Sequence, residues 1–459
     1  MRIGRSASNS AEKAWWADAG NAAKAVTRAI EASVRIFAIL LLRPALTRLA
    51  PRSARGHARP QPDLHDPTSH AQCRFDHSRF HPPRRVPLKS RGAGGTMKSA
   101  LPVVIVALAL AACDNVAVNV ETTEPEAAAE PATFVPPEGD VTTDTHRFTL
   151  IAPGVYFVQT LAPIFNSNSM VVVNEDDVVV VDTHITPAMA RDLIDSIAQV
   201  TDKPVTTVIN THFHYDHAHG NQAFDDATIV GHEFTRMKMA TDPFSEPTFA
   251  GELERQPGTL DAMRQRVADA EDDEARTQAE TVLAAYEAHV EASKEIDPVP
   301  PDVTMSDRLT LYRGAREIRL AFLGRAHTGG DIVIHLPAER LVYTGDMMLG
   351  GISWLGDGYV DEWPETLERF KELDVDLVVP GHGPTFTGEH GREVATHVQA
   401  YYRDLWAAVV ELRRQGKSAE ETAAEADLTA HADTLGVSQP GANLQAVQRI
   451  YQLLDERGE

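Results

Sequence analysis

Thr211-His212-Phe213-His214-Tyr215-Asp216-His217 follows the apolar run Val205-Thr206-Thr207-Val208-Ile209-Asn210. The length and β-branched content of that run predict a buried parallel strand. What comes after it reads H-x-H-x-D-H, four potential metal ligands within six residues. Side chains of an extended segment alternate with a period of two, which predicts His212, His214 and Asp216 on one side. His217 then points elsewhere, so the cluster can serve two neighbouring ions. The plain alternative is a polar turn with incidental histidines, and four ligand types in this spacing argue against it.

Three more candidates sit downstream, each in a glycine-rich break after a strand-like run. They are His327 in Gly324-Arg325-Ala326-His327-Thr328-Gly329-Gly330-Asp331, Asp346 in Tyr343-Thr344-Gly345-Asp346, and His382 in Val378-Val379-Pro380-Gly381-His382-Gly383-Pro384. In order and context these motifs resemble the metallo-β-lactamase superfamily of hydrolases, over roughly residues 146–390. The resemblance implies an αβ/βα four-layer sandwich, two mixed sheets with helices outside and the site at one edge. The strand-helix alternation from Gly154 to Ile209, a right-handed βαβ unit by default, agrees with it; composition alone gives only α/β.

Carried onto this chain, the family pattern implies one zinc held by His212, His214 and His327. It implies a second held by Asp216, His217 and His382, with Asp346 bridging both. Nitrogen and carboxylate ligands suit Zn²⁺, and iron or manganese is compatible with the same ligand types. Two such ions share a water, lower its pKa enough to supply hydroxide near neutral pH, and polarise the carbonyl or phosphoryl oxygen under attack. Asp216 is the expected catalytic carboxylate, orienting that hydroxide. Asp182, ending the strand-like Asp177–Val181 run, lies where the superfamily has a buried carboxylate that orients the ligands; its simpler reading is a strand-terminating turn.

The departures narrow the reading. Asp346 is present, whereas metallo-β-lactamases proper lack this bridging aspartate. The bridging residue resembles the glyoxalase II and lactonase branches, but the Gly-Cys-Gly-Arg segment typical of glyoxalase II is absent. Met347-Met348-Leu349-Gly350-Gly351-Ile352-Ser353-Trp354 stands there instead. Flavodiiron proteins have Glu where His214 stands and carry a flavin domain. Hydrolysis of a β-lactam, lactone, ester or thioester is therefore the leading expectation. A class B-like β-lactamase proper, a redox di-metal protein and a non-catalytic binding protein on the same scaffold are the alternatives. His219 reads as a neighbour of the site that is not a ligand, and His335 as a core or edge histidine. His184 and His232 are assigned no role. Trp354, Tyr359 and Trp363 follow the Asp346 loop, where substrate contact and plain packing are equally expected.

Length alone allows about three domains, yet charge and composition divide the chain differently. Of 43 Lys/Arg and 66 Asp/Glu, 17 and 6 fall in residues 1–96, leaving 26 and 60 beyond. A basic head precedes a strongly acidic body, and residues 1–96 read as a non-native or disordered extension. Met97-Lys98-Ser99 then resembles a fresh start with a positive n-region, and Leu101–Ala109 an h-region of signal-peptide length. Leu110-Ala111-Ala112-Cys113 resembles the bacterial lipobox, so lipidation is expected at Cys113. The periplasmic side of the envelope is the expected location, the inner membrane favoured by Asp114. Residues 114–145, rich in Glu, Ala, Pro and Thr, read as a disordered tether.

Cys73 and Cys113 are the two cysteines of the chain, so the body has neither a disulfide nor a Cys-ligated zinc. Residues 146–390 form the expected catalytic domain, with a helical insertion at about 240–300, and residues 391–459 a helical C-terminal extension. The acidic body lacks the basic track a nuclease needs. A small-molecule substrate and a membrane reached through the lipid anchor are the expected partners, nucleic acid is not, and homo-oligomer formation is left open.

Overall fold

The computed structural model describes residues 136–164, 167–241 and 243–458. The expectations for residues 1–96, for the signal-like segment with Cys113 and for most of the tether lie outside them.

Two sheets face each other. In the first, eight strands lie in sequence order: β1 (Val141–Thr142), β2 (His146–Ala152), β3 (Val155–Thr160), β4 (Asn168–Val173), β5 (Val178–Val181), β6 (Val205–Ile209), β7 (Thr228–His232) and β8 (Val303–Met305). β1 to β5 pair antiparallel, and β5 to β8 pair parallel. The second sheet holds β9 (Arg308–Arg313), β10 (Arg316–Phe322), β11 (Ile332–Leu336), β12 (Leu341–Gly345), β13 (Leu377–Pro380) and β14 (Phe386–Thr387), and β12 and β13 are its parallel pair.

The period of two decides which way each strand side chain faces. Val179 and Val181 of β5 enter the core between the sheets, with Ile209, Ile318, Leu320, Ile334 and Tyr343. Val178 and Val180 face the other way, onto Ala190, Leu193 and Ile197 of helix α1 (Pro187–Ile197). Thr186 starts α1 by accepting a hydrogen bond from the Met189 N–H, and Pro187 occupies the first helical turn, where its missing N–H costs nothing.

Val342 and Val378 bring the outer face of the second sheet against three helices, α6 (Trp363–Lys371), α7 (Gly388–Arg414) and α10 (Leu444–Arg457). Trp363, Phe370, Tyr402, Leu405 and Ile450 fill that layer. Between these lie α2 (Tyr215–Ala218), α3 (Glu233–Thr241), α4 (Pro247–Ala268), α5 (Asp273–Ser293), α8 (Ala419–Glu425) and α9 (Ala432–Leu435). The result is the four-layer metallo-β-lactamase sandwich. No helix among the described residues is long and apolar enough to cross a membrane.

The sheets are joined at the edge where β6, β12 and β13 end. The Asn168 N–H donates to Gly381 O at 2.7 Å, and its side-chain amide donates to Pro380 O and Gly383 O. Just behind this seam lies a buried polar patch. His146 of β2 stacks on His184 at 5.2 Å, their Nε2 atoms 3.3 Å apart. Ser196 and Thr145 contact the His146 Nδ1 side.

Burial lowers the His146 pKa from 6.5 to about 4. The folded state therefore binds fewer protons than the unfolded state between those values. Its contribution is fully present above pH 6.5 and is lost as the pH falls towards 4, amounting to roughly 3 kcal/mol by linkage. The urea midpoint of the wild type is expected to drop over that window, and His146→Gln to show a flatter acid limb. Parallel acid limbs in the two proteins would contradict this.

Candidate metal centre

Four loops at one end of the sandwich supply the candidate ligands. Thr211 to His214 lead out of β6, and His214 serves as the N-cap of α2, whose single turn holds Asp216 and His217. His327 lies between β10 and β11, Asp346 directly follows β12, and His382 follows β13. Strict alternation does not extend through Asp216, because the chain turns helical at Tyr215. That turn swings Asp216 and His217 towards His382 and leaves His212 and His214 facing His327.

Three groups of candidate ligand atoms converge, each within 4.8 Å of one another: His212, His214 and His327; His212, His217 and Asp346; Asp216, His217 and His382. His214 Nδ1 lies 2.9 Å from His327 Nε2, and His217 Nε2 lies 3.2 Å from His382 Nε2. Asp216 Oδ2 is 3.0 Å from His382 Nε2 and 3.4 Å from His217 Nε2. Asp346 reaches both groups, its Oδ2 3.7 Å from His327 Nε2 and 3.4 Å from His382 Nε2.

The other nitrogen of four of these rings is anchored outside the cluster. His217 Nδ1 lies 2.9 Å from Asp182 Oδ2, His327 Nδ1 2.9 Å from Trp354 O, and His212 Nδ1 3.0 Å from Thr211 Oγ1. His214 Nε2 lies 3.1 Å from Asp357 Oδ2. Such contacts fix ring orientation and tautomer.

Asp182 is fully buried, as is Thr211. It accepts from the Thr211 N–H at 2.8 Å and from the Thr211 hydroxyl, so one carboxylate ties β5 to the ligand loop. It sits at φ 60°, and His184 two residues on at φ 66°, conformations that non-glycine residues seldom adopt.

Glycine makes room at one critical point. A Cβ on Gly381 would lie 2.2 Å from Asp346 Oδ1 and 3.0 Å from His217 Cε1. The residue before His382 therefore has to lack a side chain for Asp346 to enter the cluster.

Electrostatics divide the rings of the cluster. Burial lowers His212 well below its ordinary value and His327 to about 3, and neighbouring imidazoles push the same way. Burial opposes charge on His217 too, but Asp216, Asp346 and Asp182 outweigh it and raise that ring to about 10. Asp357, Glu246 and Asp216 likewise lift His214 to about 9 against burial. Asp216 is held well below the usual carboxylate range despite burial, chiefly by His217 and His382.

The donor set fits a borderline cation. His212 Nε2 and Asp346 Oδ1 are buried with no hydrogen-bond partner, and orphaned polar atoms of this kind call for an explanation such as an ion. Neutral imidazole nitrogens and carboxylates are the donors zinc takes.

Sequence reasoning missed Glu246 and Asp357, which form a further close group with His214. Asp357 lies in the loop before α6 and Glu246 caps α4, and neither sits in a ligand-like motif. His184, assigned no role from sequence, has its Nδ1 3.3 Å from Ser167 Oγ, and that hydroxyl donates to Asp216 O at 2.7 Å. His219 packs its ring on Phe249 at 4.7 Å, and His335 is half-buried in β11. His232 stacks on Phe322 and lines a cleft of about 630 Å³ that none of the seven ligand candidates lines. Trp354 stands 5.6 Å from the His214 ring, whereas Trp363 is buried and donates to Met347 O.

The family model described as "Metallo-beta-lactamase superfamily" matches residues 162–382, and that segment carries a domain of this hydrolase-type superfamily. The chain is 25% identical over 254 residues to a metallo-beta-lactamase type 2 of Bacteroides fragilis, covering 52% of this chain and 80% of that protein. It is 24% identical over 243 residues to a linear primary-alkylsulfatase of a Pseudomonas species, covering 51% of this chain and 44% of that protein. Thus the chain spans less than half the length of this second relative. Among solved structures, a metallo-beta-lactamase from Pontibacter korlensis superposes with a TM-score of 0.41 at 17% identity, over 56% of this chain and 99% of its own.

Proposed function

We propose, starting from a metallo-β-lactamase superfamily domain at residues 162–382, that the protein is a dinuclear zinc hydrolase acting on a carbonyl centre. The substrate is a small molecule carrying a β-lactam, lactone, ester or thioester. One observation carries the reading: the orphaned His212 Nε2 and Asp346 Oδ1 lie among imidazoles whose outer nitrogens are already engaged.

His212, His214 and His327 would hold one ion and Asp216, His217 and His382 the other, with Asp346 between them. Zinc bound there would supply Lewis acidity and lower the pKa of a nearby water. Asp216, on the single helical turn of α2, holds the attacking water through its carboxylate and keeps it aimed at the carbonyl. Asp182 keeps the His217 ring in one tautomer from behind, and Trp354 walls the cluster on the His214 side. Acidic neighbours raise His217 and His214, so ligation would have to displace a proton from each ring and metal affinity would rise with pH.

A second reading, cleavage of a sulfate ester, is favoured by the likeness to the alkylsulfatase. Nucleic acid is a poor partner for a body with 60 acidic against 26 basic residues beyond residue 96. We place the domain on the periplasmic side of a bacterial envelope, tethered through a lipidated Cys113.

Acid release in a pH-stat distinguishes the readings, because hydrolysis of each candidate bond liberates a proton. The full chain, zinc-loaded, is expected to release acid from at least one carbonyl substrate. Chelation is expected to abolish the release, zinc to restore it, and His212→Ala to lose it. Release from a primary alkyl sulfate alone would install the second reading, and silence from a protein that takes up no zinc would overturn both. For the anchor, detergent-phase partition of the native chain is expected to vanish in Cys113→Ala; equal partition of the two would contradict it.

A further inference from the structure

We propose that the helical insertion is part of the metal centre, with Glu246 as a positioning residue that ties the orientation of α4 to occupancy of the site at His214. The inference rests on the metal reading above. It begins with one imidazole facing two carboxylates. His214 turns Nδ1 to His327, and its Nε2 lies 3.1 Å from Asp357 Oδ2 and 3.8 Å from Glu246 Oε1. Both acids are sheltered, their side chains 15% and 4% exposed.

The two carboxylates come from different elements. Asp357 belongs to the loop between β12 and α6. Glu246 is the N-cap of α4: it accepts from the Thr248 N–H at 2.7 Å and from the Phe249 N–H at 3.0 Å, and the Thr248 hydroxyl donates to it as well. The group that satisfies the first turn of the insertion helix is therefore also the group set against a ligand ring. Phe249, one turn in, packs on His219 at 4.7 Å and on Tyr215 at 5.5 Å, residues that flank Asp216 and His217. The insertion thus grips the ligand loop at two points, one charged and one aromatic.

Elsewhere the foothold of the insertion is slight. In α4 only Phe249, Glu252 and Gln256 are buried, and in α5 only Ala279, Tyr286, His289 and Ser293. Tyr286 donates to Glu252 at 2.7 Å, which holds the two helices to each other and not to the sandwich. Elements with so few buried apolar contacts open locally at small cost in free energy, so a charged contact at the cap carries unusual weight.

An ion held through Nδ1 would pin the His214 ring in one orientation, keeping its Nε2–H aimed at Asp357 and Glu246. Metal binding then steadies the insertion, and by reciprocity a seated insertion tightens metal binding.

Hydrogen–deuterium exchange over residues 247–293 of the full chain, stripped of metal and then given zinc, tests the coupling. Zinc is expected to slow exchange in this segment about tenfold or more in the wild type. Glu246→Gln keeps an acceptor for the helix cap but loses the charge, and is expected to abolish the slowing. It is also expected to weaken one zinc site about 10-fold to 100-fold in chelator competition, the usual reach of an outer partner. Asp357→Asn is expected to weaken the same site and to leave the cap intact.

Uptake of two zinc ions with unchanged exchange in the insertion would overturn the inference alone, and that wild-type result decides even if the variant misfolds. A third zinc per chain, lost in Glu246→Gln, would overturn it in favour of a cation held at His214 Nε2, Glu246 and Asp357. A protein that takes up no zinc would overturn the metal reading and this inference with it.

Discussion

Asp182 is the constraint on which the ligand cluster depends. A carboxylate with no exposure to water is costly unless its oxygens are fully engaged. Here they take the Thr211 N–H, the Thr211 hydroxyl and His217 Nδ1, with the Tyr343 hydroxyl at 3.3 Å. Those partners come from the loop and turn after β6 and from β12 of the second sheet. The left-handed backbone at Asp182 is the local cost of bringing the carboxylate there. Remove the carboxylate and the ligand loop loses its register against β5, and His217 loses the contact that decides which nitrogen faces inward.

The layers serve the same end. Parallel strands β5 to β7 and β12 to β13 deliver their C-terminal ends to one edge, where the loops carrying His212, Asp346 and His382 meet. Asn168 stitches the two sheets together at that edge through three hydrogen bonds to residues around His382. The approach is close enough that Gly381 has no room for a side chain, so the space for Asp346 exists because the preceding packing leaves it. Five imidazoles and two carboxylates are crowded together, with His382 and Asp216 partly open to solvent. Rings pressed towards neutrality by burial lie beside rings driven towards protonation by acids.

Much of this was legible in the sequence because it is local. The run Val205–Ile209 reads as a buried strand and is one. The alternating Val178–Val181 segment divides its side chains between two cores as a strand must, and the ligand candidates announce themselves by residue type and spacing. The single turn of α2 escaped, because alternation was extended across residues that instead form a helical turn. Glu246 and Asp357 escaped for another reason. A glutamate before a proline reads as a helix start, and nothing at either position marks it as a partner of His214; that pairing exists only in three dimensions. The insertion was expected at about 240–300; its first helix starts at Pro247 and runs on through Pro257 and Gly258.

The most direct test of a dinuclear centre is anomalous diffraction at the zinc edge from crystals of the zinc-loaded protein. Two peaks are expected, one among His212, His214 and His327 and the other among Asp216, His217 and His382, with Asp346 between them. A single peak would contradict the dinuclear centre, and density confined to surface carboxylates would contradict the metal centre altogether.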